Sequence, residues 1–186
     1  MELILASNTA EVVSNKYLLV DSDFLGELYG NYSFLEKLQS IAINSNLMLD
    51  NMVAFEFLRD VFDPKIAESK AKFLDQEIFN RTNNHPENFE KIQENALLLS
   101  KIYAHNGKSK GVSTTDLYLA ARIMTLPINS LLITGNKKDY PSCIFSLKTI
   151  ISFENKEGTL VNYSFLEFDR NHFDKTYTNL KKIKKD

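Results

Sequence analysis

Three short apolar runs, each bounded by polar residues, punctuate a chain that otherwise carries helical spacing. They are Tyr17 to Val20 (YLLV), Leu47 to Leu49 (LML) and Leu131 to Thr134 (LLIT). Runs this short, apolar throughout, suit strands buried on both faces. Phe24 to Ile43 predicts a helix broken near Gly30-Asn31, and Asp50 or Asn51 can cap a helix carrying Val53, Phe55, Phe57, Leu58 and Val61. Pro64 opens another helix, with Ile66, Phe73, Ile78 and Phe79 at helical spacing. Pro86 opens a further one, whose inner face is expected to be Phe89, Ile92, Ala96, Leu97, Leu99 and Ile102. His105 to Gly111 is a polar loop, and Ser113 begins a helix to about Met124. Thr149 to Glu154 and Thr159 to Phe168, with a turn at Asn155 to Gly158, predict a hairpin, and Asn171 to Asp186 a helix with a basic end. Strands separated by helices imply a parallel sheet with right-handed crossovers, so the expected class is α/β.

Composition narrows the class. With 186 residues and 44% apolar content the chain can bury one sizeable core, so a single domain is expected. Its 22 basic and 24 acidic side chains leave a net charge of −2, which excludes a strongly basic nucleic-acid coat protein. Cys143 is the only cysteine, so there is no intramolecular disulfide and no thiolate metal site, as in a reducing cytosol. The opening MELILASNTAEVV carries Glu2 and Glu11 and no basic leader, and no apolar run approaches the roughly 20 residues that span a bilayer. A soluble, cytoplasmic protein with no membrane partner is the expectation.

Candidate chemistry lies in four acids. Asp21 ends the first strand, Glu56 lies one turn into the helix after the second, Asp116 falls in the first turn of the helix before the third, and Asp139 follows the third strand in GNKKDYP. In an open α/β sheet the carboxyl ends of the strands share one crevice, where such residues would meet. Carboxylates packed together repel, and a divalent cation relieves the repulsion. Oxygen-only ligation selects Mg2+ or Mn2+. Phosphoryl transfer needs this kind of positioning and charge neutralisation.

These segments resemble the motifs of PIN-domain nucleases. LLVDSDFLGEL resembles the opening motif, VAFEFL the second with its glutamate at Glu56, STTDLYLAARIM the third with Asp116, and LLITGNKKDYP the fourth. Their order and spacing agree from about Tyr17 to Pro141, a core of about 17–141, leaving 142–186 as a C-terminal hairpin and tail helix. The resemblance implies a three-layer α/β/α fold around a mostly parallel sheet and cleavage of RNA with Mg2+ or Mn2+. It also implies a homodimer and, as in VapC-type toxins, an antitoxin protein that masks the acidic crevice with an Arg or Lys. Asn136 stands where the fourth motif often has Asp, so the fourth carboxylate rests on Asp139. The helical insert from Pro64 to His105 and the C-terminal extension exceed a minimal toxin.

Each residue also has a plainer role. Ser113-Thr114-Thr115-Asp116 fits a capping box, and Asp21 or Asp23 can cap the next helix. Glu56 can pair with Arg59 or Lys65, and Asp139 can be an ordinary loop residue. Ser22 and Thr134 can orient water or ligands or satisfy strand-end backbone, Asp23 can back the site from outside, and Asn136 can contact substrate or a metal-bound water. Lys108, Lys110, Lys137 and Lys138 can contact phosphates or lie solvated. His85, His105 and His172 lack metal spacing. Two rivals remain. One is a non-catalytic module binding RNA or protein. The other is a haloacid-dehalogenase-like phosphatase, which YLLVDSDF and LLITG resemble, although no downstream acidic pair completes it.

Overall fold

A computed structural model describes residues 3–59, 61–82, 86–106, 112–155 and 158–183. Lys108, Lys110, His85 and most of the polar loop at 105–111 lie outside them, as do 184–186 of the tail. The chain runs β1 (Leu3–Leu5), α1 (Thr9–Val13), β2 (Tyr17–Val20), α2 (Ser22–Gly30), α3 (Tyr32–Ile41), β3 (Asn46–Leu49), α4 (Asn51–Leu58) and α5 (Pro64–Leu74). It continues with β4 (Phe79–Arg81), α6 (Pro86–His105), α7 (Thr114–Ile123), β5 (Ser130–Thr134), a 3-10 turn at Lys137–Asp139, β6 (Phe145–Glu154), β7 (Leu160–Phe168) and α8 (Arg170–Ile183). No helix among the described residues is long and apolar enough to cross a membrane.

The seven strands form one sheet in the order β1-β6-β7-β5-β2-β3-β4. The stretch β5-β2-β3-β4 is parallel, as the alternation of strands and helices predicts, while β1, β6 and β7 pair antiparallel. Leu18, Leu19 and Val20 are fully buried, and all five residues of β5 are buried. Central parallel strands are covered on both faces, which is why these runs are apolar throughout. Each such leucine or valine contributes about 1.5–3 kcal/mol. The chain first extends the sheet to one side of β2, through β3 and β4, and then returns with β5 on the other side. A reversal of this kind opens a crevice at the carboxyl ends of the two strands beside it, here β2 and β5.

Side-chain caps fix where the helices begin. Asp50 Oδ1 accepts from Met52 N at 2.8 Å, and Asp63 from Lys65 N at 2.8 Å, with Pro64 in the first helical turn. Asn31 separates α2 from α3 and caps the latter, which gives the predicted break. The C-terminal hairpin is held by rings as well as by strand pairing. Phe24 of α2 meets Tyr163 of β7 edge-on at 4.8 Å, and Phe34 of α3 lies 4.5 Å from Phe153 of β6.

Several expectations need correction. The helix opened by Pro64 stops at Leu74, and Phe79, expected on it, starts β4, which pairs parallel with β3. Phe89 and Leu97 are exposed. The rest of the expected face holds, with Ile92, Leu99 and Ile102 buried and Ala96 packed against the core, and Tyr103 joins it. The hairpin's first strand begins at Phe145, with a register shift between Leu147 and Thr149 that breaks the alternation. β1 and α1 were not foreseen. β1 is three residues long and depends on pairing with β6, so Leu3 lies opposite Phe153.

Candidate functional site

The N-terminal end of α2 and the carboxyl end of β5 meet at the sheet's reversal point. Asp21 leaves β2 in extended conformation and becomes the N-cap of α2. Its Oδ1 accepts from Ser22 N at 2.7 Å, as capping predicts. Its Oδ2 accepts from the hydroxyl of Thr134, 113 positions later, at 2.7 Å. That hydroxyl in turn accepts from Asn136 N at 2.9 Å, which orients it toward the carboxylate. Thr134 is fully buried and Asp21 nearly so. Asp23, two residues on, bridges the same two segments. Its Oδ1 accepts from Phe24 N at 2.6 Å and its Oδ2 from Gly135 N at 2.9 Å.

Gly135 has a specific reason to lack a side chain. A Cβ there would lie 2.5 Å from Asp23 Oδ2 and 3.3 Å from the Tyr163 ring. Any larger residue would push the carboxylate off the backbone amide.

Asp116 comes from the other flank. The capping box forms in full: Asp116 N donates to Ser113 Oγ at 3.0 Å, and Asp116 Oδ2 accepts from Ser113 N at 3.2 Å and Ser113 Oγ at 2.7 Å. Its Oδ1 stays outside the box and accepts from the buried hydroxyl of Tyr140 at 3.2 Å. Capping therefore engages one oxygen, while the other faces the residues after β5. Asp139 is buried on the 3-10 turn, where the Asn136 side-chain amide donates to its Oδ2.

Electrostatics follow from this placement. Burial is the main cause that pushes Asp21 from 3.8 up to about 7; the charge of Asp23 adds to it, the hydrogen bonds from Thr134 and Ser22 oppose it, and the charge of Asp116 adds again. Burial also raises Asp23, with Asp116 contributing. The Tyr140 hydroxyl is held far above its usual range by burial and by Asp21 and Asp116. Burial, then Asp116 and Asp139, raise Tyr103 in the same way, and its buried hydroxyl has no hydrogen-bond partner among the described residues. No described residue forms an ion pair with Asp21, Asp23 or Asp116. The cluster is thus acidic, poorly solvated and without a counter-charge among the described residues.

Glu56 stands apart. It sits on α4 with its carboxylate 3.3 Å from the Arg59 guanidinium, the plainer pairing expected for it. Among the described residues no hydrogen bond or ion pair ties it to Asp21 or Asp116. Of the eight candidates, Asp21, Asp23, Asp116 and Thr134 converge, with Asn136 and Asp139 adjoining through the turn after β5. Ser22 contributes its backbone N–H to the convergence.

Three residues that matter here were not foreseen. Tyr140 ties Asp116 to the turn, and Gly135 receives Asp23. Arg122 on α7 makes a buried ion pair with Asp50 on α4, Nε to Oδ2 at 2.6 Å, to which the Thr82 hydroxyl adds a 3.0 Å bond. That pair binds the helix bearing Asp116 to the helix bearing Glu56. An arginine inside the apolar helix segment LYLAARIM was the available sign, since a buried guanidinium requires a partner.

Among the described residues no three carboxylate, histidine or cysteine side chains are grouped to hold one ion. A magnesium-type site needs no such cage. One or two carboxylates suffice, with waters and substrate phosphates completing the shell. The oxygen-only donors and the uncompensated charge of Asp21 fit a hard dication. No protein-family model, curated protein or solved structure matches the chain.

Proposed function

We propose that the chain is a PIN-like, three-layer α/β/α endoribonuclease that hydrolyses RNA phosphodiesters with Mg2+ or Mn2+. The observation that carries this reading is the Asp21–Thr134 hydrogen bond at the sheet's reversal point, with Asp116 near enough for its charge to raise Asp21. Buried carboxylates gathered from distant parts of the chain at such a crevice, with Asp21 strongly perturbed among them, are where a ligand site is expected.

Asp21 and Asp116 are the residues proposed to hold the ion, with Glu56 and Asp139 as outer members of the acidic set. When bound, the dication would polarise the phosphodiester and make an attacking water more acidic. The protein's own part is orientation. Thr134 and Ser22 N fix the two oxygens of Asp21, Tyr140 fixes one oxygen of Asp116, and Asp23 clamps the loop after β5 against α2. Asn136, through Asp139, would set the rim on which a substrate phosphate rests. The proposal extends to a cytoplasmic toxin acting as a homodimer and restrained by an antitoxin whose Arg or Lys would enter the negative crevice.

The test is hydrolysis of a mixed RNA pool with Mn2+, comparing the wild type with Asp21→Asn. Cutting confined to the wild type supports the proposal, and equal cutting by both removes the site. Two observations favour a second reading, a non-catalytic PIN-like module: Glu56 is engaged by Arg59, and Asp116 serves in a capping box. Retained RNA binding without Mn2+-dependent cleavage would select it.

A further inference from the structure

Next to the acidic cluster, sharing Tyr140 with it, lies an open groove of about 540 Å3. Lys137, Lys138, Tyr140, Ser142 and Cys143 line it, with Asn106 from the end of α6. Its size lies within the range of about 300–1,000 Å3 found for ligand sites. Among the described residues no carboxylate lines it, since the neighbouring Asp139 is buried and bonded by Asn136. Lys137 and Lys138 are both exposed, and neither has an ion-pair partner among the described residues. Two other lysines are neutralised: Lys72 pairs with Glu68 at 2.6 Å and Lys148 with Glu167 at 3.1 Å.

We propose that this groove holds the sugar–phosphate backbone of the RNA strand next to the bond being cut, with Lys137 and Lys138 contacting its phosphates. The proposal rests on the nuclease reading and names how that site keeps its substrate. A polyanion approaching Asp21, Asp23 and Asp116 is repelled, and the protein's net charge of −2 offers no general attraction. Two unpaired cations on the turn that carries Asp139 supply a local attraction at the site's edge. The groove also sets the kind of recognition. Tyr140 is almost fully buried, so no ring is offered for a base to stack on. Hold is therefore through phosphates and independent of base sequence.

The experiment uses a fluorescent single-stranded oligoribonucleotide in EDTA, so that binding is read without cleavage. Lys137→Gln/Lys138→Gln is compared with the wild type and with Lys72→Gln, a control in a different groove. Each lost phosphate contact should flatten the slope of log K against log salt by about 0.7, so the double variant loses about 1.4. Its deficit against the wild type should then narrow about sevenfold between 50 and 200 mM salt. Lys72→Gln should follow the wild type.

Cys143, the sole cysteine, provides a second readout inside the groove. At an RNA concentration ten times Kd, its alkylation by iodoacetamide should slow about tenfold. An unchanged salt slope in the double variant, or an unprotected Cys143, overturns the groove assignment. Mn2+-dependent cleavage lost in Asp21→Asn would still uphold the nuclease reading in that case. Absence of both binding and cleavage in the wild type ends both.

Discussion

Replacing Asp21 with asparagine should stabilise the metal-free protein while abolishing its proposed activity. Asp21 is only 4% exposed, and the folded state moves its carboxyl from 3.8 to about 7. A raised carboxyl pKa means the folded protein binds more protons than the unfolded chain between those values. Stability from this group is therefore greatest below pH 3.8 and falls as pH rises to about 7. The raised pKa lowers stability by on the order of 4 kcal/mol at pH 8, where the folded carboxyl is ionised, and by about 2 kcal/mol at pH 5, where folding instead takes up a proton. Asparagine carries no charge, but it can accept from only one of the Thr134 hydroxyl and Ser22 N with its single carbonyl oxygen. That loss is about 1–2 kcal/mol. The expected net gain is about 2–3 kcal/mol at pH 8 and near zero at pH 5. Urea unfolding in EDTA at the two pH values reads it directly. Saturating Mn2+ at about 100 times Kd should stabilise the wild type by about 2.7 kcal/mol and leave the variant unchanged. A variant less stable than the wild type at pH 8, or a difference independent of pH, would refute the electrostatic account of Asp21.

Other expected outcomes address the supporting residues. Arg122→Ala leaves Asp50 buried without its partner and should cost about 3–5 kcal/mol in urea unfolding, whereas Asp50→Asn combined with Arg122→Met should cost much less than the sum of its parts. Gly135→Ala forces Asp23 Oδ2 off the Gly135 amide; a loss of about 1–3 kcal/mol in thermal unfolding is expected, together with reduced Mn2+-dependent cleavage. Tyr140→Phe removes the donor to Asp116 Oδ1 and should lower stability by about 1 kcal/mol, with a larger proportional loss in cleavage rate than in RNA affinity in EDTA.

How far the chain's pattern revealed the structure depends on how local each determinant is. β2, β3 and β5 were legible because burial on both faces leaves a short run with no polar residue. Asp50 and Ser113 were legible as caps, and Asn31 as the place of a helix break, because each acts on backbone within three positions. β1 and β4 were not. Each has three residues and gains its identity from a partner elsewhere: Phe153 opposite Leu3, and Leu47 beside Phe79. The stripe on α6 was misjudged at Phe89 and Leu97 because a 20-residue helix with apolar residues on more than one side allows several faces. In the site, Asp21, Asp116 and Thr134 stood at ends of elements, where convergence follows from strand order. The Arg122–Asp50 pair spans 72 positions, and Gly135 matters through a carboxylate 112 positions earlier. Neither relation leaves a periodic trace. Glu56 illustrates the converse: a motif position fixes a residue's place on a helix, while its side chain pairs with Arg59 one turn on.

Diffraction from crystals grown with Mn2+, recorded for its anomalous signal, tests the central claim most directly. The account predicts one peak with a carboxylate oxygen of Asp21 and one of Asp116 each about 2.1 Å away, and no peak in the Asp21→Asn protein. A fully occupied ion elsewhere on the chain, or an empty crevice at saturating Mn2+, would contradict it.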